Sequence, residues 1–407
     1  MTISNFSILE QILAIPNTKI IDVKQNETEI HIYLECVNVS SVCPNCGCEC
    51  DTVHEKKETK AIRDCAVFGK KCFLHFIHRR FNCSKCKKTF MERLKWMDPY
   101  ERNTQRYSNW LERYGLKIDL KSLSNLEDIG YSTVERIIKN HNHTFLFPDK
   151  KAFPVNAGMD EFSQLKGRGN FCTLITNNDT DKPFDILPSR DEAVLEHYFS
   201  SIPEPVRKKN KSFTIDMWKI FIKLIKKYFP NSEIVIDRFH VTKCLNKCID
   251  KTRRKLQKLI SKERSKQLKN LRWIILKNNE NLTVEEKEKL QFAFECSEGI
   301  KQMYELKENI RKVFEKKISK EQARYELRAF IDEAEEITDK SINSFIKTYN
   351  LFEEYILNYF NERKSNGLVE GINNKIKLIK RIAYGMPNFI NFSGRILAAF
   401  SYNYSPI

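Results

Sequence analysis

The stretch from Val155 to Val241 leaves the chain little choice of fold. VNAGMDEFS, NFCTLITNN and KPFDILPS read as three consecutive strands, short and apolar between turn-forming residues. DEAVLEHYFSSI then spaces its apolar residues as a helix does, KSFTIDMW is a strand, KIFIKLIKKYFP a helix and SEIVIDRFHV a last strand. The order βββαβαβ implies a mixed sheet flanked by helices, with strands one and four side by side.

Two other elements precede it. IIDVKQNETEIHIYL, from Ile20 to Leu34, alternates apolar and polar residues around Asn26 and reads as two strands joined by a turn. Cys43-Pro44-Asn45-Cys46-Gly47 follows, and Cys83-Ser84-Lys85-Cys86 comes after a further strand-like run, KCFLHFIHRRF. Each C-x-x-C turn presents two sulfurs to one ion, so the pair suits a tetrahedral zinc site with Cys43, Cys46, Cys83 and Cys86 as ligands. Cys36, Cys48, Cys50, Cys65 and Cys72 are surplus in the same region and leave that set open to substitution. His54, His75 and His78 read as solvated strand residues. The first basic residue is Lys19, so the start lacks the charged leader of a secretory signal, and no apolar run approaches a membrane span. The expectation is a cytoplasmic protein without a membrane partner, in which clustered cysteines serve a metal.

From Thr104 to Asn142 the spacing becomes helical, and LKSLSNLEDIGYSTVERIIKN reads as a helix-turn-helix. Gly130 is expected to supply the turn, and Ser132 with Glu135 a capping box. The second helix then offers Thr133, Arg136, Lys139 and Asn140 to a DNA groove. The charge agrees: 70 Lys and Arg against 53 Asp and Glu, a net +17, call for a polyanionic partner.

Beyond Val241 no proline occurs before Pro387, and Lys243 to Phe360 is an almost unbroken, charge-rich helical pattern whose faces suit either packing or DNA. SNGLVEGINNKIKLIKR, from Ser365 to Arg381, continues as an amphipathic helix. Glu370, Asn374, Lys377 and Arg381 share one stripe, and Leu368, Ile372, Ile376 and Ile379 another roughly opposite. YGMPNFINFSGRILAAF reads as a turn and a closing helix.

Three acids then stand out. Asp160 ends or nearly ends strand one, Asp216 ends strand four, and Glu370 opens a helix able to fold back onto the sheet. Cleavage of nucleic acid on such a sheet needs carboxylates that hold two divalent ions about 4 Å apart. Asp237, closing strand five, rivals Asp216, but it lies one strand further away, roughly 4.8 Å. Asp237 and His240 therefore fit better as groups that position the ligands, with Asp237 the alternative acid. Glu161, beside Asp160 on a strand, is expected to face the other way.

CPNCG with CSKC, the RRF before the second knuckle, MDEFS, IDMW, FPNSEIVIDRFHV and above all SNGLVEGINNKIKLIKRIAYGMPNF resemble the ISL3 family of bacterial insertion-sequence transposases, over nearly the whole chain. The resemblance implies a DDE triad, which maps onto Asp160, Asp216 and Glu370, with a helical insertion ahead of the glutamate. Asp237 to His240 is similar to the C/D-x-x-H element of several transposase groups. The surplus cysteines depart from the family pattern.

The expected architecture is multidomain α+β: a β-rich zinc ribbon at 1–98, a helix-turn-helix at 99–150, a ribonuclease-H-like α/β core at 151–242 and 361–407, and an all-α insertion at 243–360. The expected function is a DNA transposase that binds terminal inverted repeats and cuts and rejoins DNA with magnesium or manganese, its ribbon held by zinc. Double-stranded DNA is the partner, with Asn374, Lys377 and Arg381 facing it, two copies bridging two ends, and the bound protein associated with the nucleoid. The alternatives are an inactive or domesticated copy acting as a DNA-binding regulator, and a nuclease without strand transfer.

Overall fold

The computed structural model describes residues 6–58, 60–98, 100–165, 171–261, 270–364, 367–384 and 386–401. Ser365, Asn366, Gly385, the basic run 262–269 and the side chain of Leu368 lie outside the described residues. The chain forms two compact units, Met1–Thr144 with Ile382–Tyr384, and Phe145–Arg381 with Gly385–Ile407. Among the described residues, no helix is long and apolar enough to cross a membrane.

The first unit opens with α1 (Ser7–Leu13), β1 (Thr18–Gln25) and β2 (Glu29–Cys36). The β1–β2 turn closes because Asn26 Oδ1 accepts from the backbone N–H groups of Thr28 and Glu29, at 2.9 and 2.7 Å. A short hairpin, β3 (Ser41–Val42) and β4 (Glu49–Cys50), precedes β5 (Val53–Glu58), β6 (Ile62–Val67), β7 (Lys70–Asn82) and β8 (Thr89–Met91). The sheet runs β1-β2-β7-β5, with β6 and β8 also paired to β7. Alternation along β2 and β7 sends Ile30, Ile32, Leu34, Cys72, Leu74 and Phe76 to one buried face.

Three helices complete this unit: α2 (Gln105–Gly115), α3 (Leu120–Glu127) and α4 (Tyr131–His143). Their core is Tyr107, Leu111, Leu123, Val134, Ile137 and Ile138. Gly115 lets α2 approach α4, since a Cβ there would sit 2.2 Å from Ile138 Cδ1. The turn between α3 and α4 departs from expectation. Asp128, not Gly130, takes the left-handed conformation, with φ 51°, and Ser124 closes the turn by hydrogen bonds with Ile129. The chain re-enters a helix at Tyr131 with Gly130 as N-cap, so Ser132 already lies inside the first turn and its capping box with Glu135 does not form.

The second unit holds β9 (Asn156–Ser163), β10 (Phe171–Asn177), β11 (Lys182–Leu187), α5 (Glu192–Ser200), α6 (Glu204–Lys209), β12 (Ser212–Ile215), α7 (Lys219–Tyr228) and β13 (Glu233–Ile236). The sheet order is β11-β10-β9-β12-β13. β9, β10 and β11 are antiparallel, and β12 is parallel to both β9 and β13, which places the first and fourth strands side by side. Two boundaries move. β9 runs on to Ser163, so Asp160 is inside the strand rather than at its end. β13 stops at Ile236, because Asp237 accepts from Phe239 N–H at 3.0 Å and caps α8 (Arg238–Leu259). The DRFH run expected to finish a strand therefore starts a helix.

Helices then follow almost without pause: α9 (Leu271–Leu276), α10 (Val284–Cys296), α11 (Glu298–Glu315), α12 (Lys320–Glu335), α13 (Asn343–Leu357) and α14 (Tyr359–Glu362). One continuous apolar core joins them to the sheet, from Met159 and Phe213 through Ile249 and Met303 to Phe345 and Ile356. α15 (Gly367–Ile382) and α16 (Phe389–Ser401) close the chain.

Candidate functional site

In the first unit, two tight turns face one another. Gly47 N–H donates to Cys43 O at 3.0 Å, and Lys87 N–H to Cys83 O at 2.9 Å. Gly47 and Lys87 hold equivalent left-handed conformations, φ 71° and 59°. Cys43 Sγ lies 3.6 Å from Cys86 Sγ, and Cys46 Sγ 3.5 Å from Cys83 Sγ. All four sulfurs fall within 4.8 Å of one another. Metal–sulfur bonds of about 2.3 Å in a tetrahedron set sulfur–sulfur edges of about 3.8 Å, so the spacing fits one thiophilic ion and is far too long for disulfides. The Cys86 N–H donates to Cys83 Sγ at 3.5 Å and lowers that thiol below its ordinary value, while Cys46, sharing a proton with Cys83, is pushed up. Cys48 and Cys50 pack beside the cluster, outside the four-sulfur group.

On α4, Thr133, Arg136, Lys139 and Asn140 lie on the side away from buried Val134, Ile137 and Ile138. Arg136 is engaged by Glu101 through both oxygens, at 2.5 and 2.8 Å. Lys139 pairs with Glu135 one turn earlier, at 3.0 Å.

In the second unit, register assembles the acids. The last paired residues of β9 and β12 are Gly158 and Thr214. Asp160 and Asp216 each come two residues later, so both project to the same face from neighbouring positions. Asp160, Asp216 and His240 bring ligand atoms within 4.8 Å of one another. His240, expected behind the ligands, stands among them: its Nε2 is 2.6 Å from Asp216 Oδ1. The two do not meet in hydrogen-bond geometry, and that oxygen is buried with no hydrogen bond. Asp160 is 9% exposed, and its carboxyl titrates above the ordinary range because of burial and then the neighbouring Asp216 charge. A buried carboxylate, Asp160, beside a second, half-buried one, Asp216, that has a buried oxygen without a hydrogen bond, suits a divalent cation.

These groups lie on a cleft of about 940 Å³ whose walls include Glu370, Asn373, Ile376, Lys377 and Lys380 from α15 and Arg238, Thr242, Lys243 and Asn246 from α8. Glu370 is exposed on that wall and outside the three-residue cluster. Asp237 also borders the cleft, its side chain capping α8. Glu161, expected on the far face, borders the cleft as well. Its carboxylate is taken by Arg190 Nη1 at 2.7 Å.

The face of α15 differs from the expected stripe. Val369, Ile372, Ile376 and Ile379 are buried, while Glu370, Asn373, Lys377 and Lys380 line the cleft. At roughly 100° per residue this working stripe flanks the apolar one instead of opposing it, so Glu370 reaches the cleft while the apolar side stays buried. Asn374 and Arg381 lie on the exposed side, beyond the cleft lining. Asn373, which sequence reasoning passed over, donates from Nδ2 to Asp160 Oδ2. Lys380 Nζ donates to Ser163 O at 2.5 Å. The available signal was the polar 370, 373, 377, 380 spacing, which competed with the equally helical 370, 374, 377, 381.

Comparison with known proteins bears on this cleft. A family model of ISL3-type DDE sequences, described as Transposase, matches residues 157–396, a span that contains Asp160, Asp216, His240 and Glu370. The transposase for insertion sequence element IS1001 of Bordetella parapertussis is 27% identical over 379 residues, 92% of this chain and 92% of that relative. The transposase for insertion sequence element IS1557 of Mycobacterium tuberculosis is 24% identical over 254 residues, 56% of each chain.

Proposed function

We propose, for a chain that belongs to the ISL3 family of DDE transposases, that Asp160, Asp216 and Glu370 are the acids that hold its catalytic divalent ions. The observation that carries this reading is the register-matched meeting of Asp160 and Asp216 on a cleft that Glu370 also lines. Sheet β9–β13 with α15 then forms a ribonuclease-H-like core, interrupted by the helices between β13 and α15. Magnesium or manganese bound there supplies Lewis acidity to the attacking and leaving oxygens of the phosphodiester.

The chain's own residues do the rest. Asp160 and Asp216 present carboxylate oxygens from two adjacent strands, and Glu370 adds a third from the helix wall. His240 stands beside the two aspartates with its Nε2 against Asp216 Oδ1, placed to share the ion or to hold that carboxylate, and Asp237 fixes the start of the helix that carries His240. Lys377, two turns from Glu370 on the same stripe, meets phosphate charge, with Asn374 and Arg381 extending the contact along the exposed side. Water cuts the strand at the element end, and the freed 3′ hydroxyl attacks target DNA without a covalent protein intermediate.

End recognition falls to α3–α4, acting as a helix-turn-helix with Thr133, Lys139 and Asn140 at the groove and Arg136 exchanging Glu101 for phosphate. Zinc on Cys43, Cys46, Cys83 and Cys86 holds the adjoining ribbon. Two copies bridge two ends.

Labelled end DNA incubated with full-length protein and magnesium is the test. The expected products are cleaved and joined strands, absent with Asp216→Ala although the DNA remains bound. Binding without any cleavage by the wild-type chain would instead make it a regulator, and cutting without joining a nuclease.

A further inference from the structure

We propose that Asn373 is a positioning residue for the metal site: its side-chain amide holds the Asp160 carboxylate in the orientation that ligates the ion. The proposal rests on the reading of Asp160 as a metal ligand given above.

Three observations converge. Asn373 Nδ2 donates to Asp160 Oδ2, on a carboxylate that is 9% exposed. A buried carboxylate turns freely about its last bond unless a donor fixes one oxygen, and Asn373 fixes Oδ2 while leaving Oδ1 for other work. Next, the other end of the amide is unmet: Asn373 Oδ1 is buried with no hydrogen-bond partner among the described residues. An amide kept only to fasten helix to strand would satisfy both its ends, because an unpaired buried carbonyl is a cost. Asn373 satisfies only the end on Asp160. The orientation is also forced, since turning the amide over would bring its oxygen against the carboxylate.

The helix does not need Asn373 to stay docked. Lys380, seven residues on, clasps Ser163 O of β9, and Val369, Ile372, Ile376 and Ile379 bury the apolar side. Loss of the Asn373 amide therefore takes the side-chain donor from Asp160, leaving it the Glu161 backbone N–H, and leaves α15 in place. Partners behind a ligand typically contribute about 10–100-fold to metal affinity.

The experiment titrates the full-length protein with Mn²⁺ alone, without DNA, following free Mn²⁺ by electron paramagnetic resonance, with thermal unfolding in parallel. Asn373→Ala is expected to weaken Mn²⁺ binding about 10–100-fold with little change in unfolding temperature. Asn373→Leu, which fills similar space without the N–H, is expected to show the same loss, and is read in its place if the alanine variant does not fold. Ile372→Ala, on the buried side of α15 and outside the cleft lining, serves as the packing control, lowering the unfolding temperature while moving Mn²⁺ affinity far less. If Asp160→Asn loses Mn²⁺ while a folded Asn373 variant binds it as the wild type does, this inference is overturned and the site stands. If Asp160→Asn itself binds Mn²⁺ like the wild type, the site reading fails first. If Ile372→Ala weakens Mn²⁺ as much as Asn373→Ala, Asn373 acts through packing and the proposal is overturned.

Discussion

The cysteine knuckles and the acidic cleft are the two candidate metal sites, and they are built in opposite ways. At the knuckles, each pair of cysteines comes from one tight turn, the four sulfurs already stand at tetrahedral spacing, and four thiolates on one ion would leave it no open position. At the cleft, the acids come from two strands and a distant helix, one buried oxygen is unmet, and the space beside them is open. A closed set of ligands serves folding, and an open one serves chemistry. The same difference predicts how each site fails.

The largest effects belong to the cleft. Asp160→Ala, Asp216→Ala and Glu370→Ala are each expected to reduce end cleavage to the uncatalysed background, with end binding in a gel-shift assay nearly unchanged. An Asp216 variant with full activity breaks the assignment of the acids. Next come the knuckles. Cys43→Ser or Cys83→Ser should release zinc, measured by atomic absorption, and should weaken end binding, because about 10–16 kcal/mol of metal binding is coupled to folding at such sites. Zinc content equal to wild type in either variant would rule out the four-cysteine set.

A smaller effect separates the sites by pH. Asp160 titrates above the ordinary carboxylate range in the folded chain, through burial first and Asp216 second. Below the unfolded value both states hold the proton and the residue is neutral to stability. As pH rises toward and past the folded value, the unfolded chain gives up the proton more readily and the fold loses stability. Without divalent ion, Asp160→Asn should therefore melt above the wild type at neutral pH, with the two curves converging near about pH 3. A gap that does not change with pH contradicts the burial argument. The smallest effect compares the two knuckles. Gly47 and Lys87 share the left-handed conformation, so Gly47→Ala should cost about 1 kcal/mol and Lys87→Gly gain about 0.5–1 kcal/mol in chemical denaturation. A destabilised Lys87→Gly would show that the lysine side chain earns its place there.

The contrast also explains what could be read in advance. The clustering of the four sulfurs was legible because each pair is set by local spacing, Cys43 with Cys46 and Cys83 with Cys86. The order of strands around the cleft was legible from periodicity, and with it the adjacency of β9 and β12. Position along an element was not. Asp237 was taken for a strand end because SEIVID is apolar and β-branched, whereas its carboxylate caps a helix. Gly130 was taken for the turn because glycine is the usual left-handed residue, whereas Asp128 holds that conformation. On α15 two polar stripes of equal helical merit overlapped. Only contact with Asp160 and Ser163 selects Asn373 and Lys380 over Asn374 and Arg381.

The most direct measurement is an anomalous difference map from crystals of the protein soaked in Mn²⁺. The account predicts manganese bound by Asp160 and Asp216, with a Glu370 oxygen drawn to bonding distance. Manganese held by Asp237 in place of Asp216, or Glu370 left outside the coordination shell at full occupancy, would contradict it.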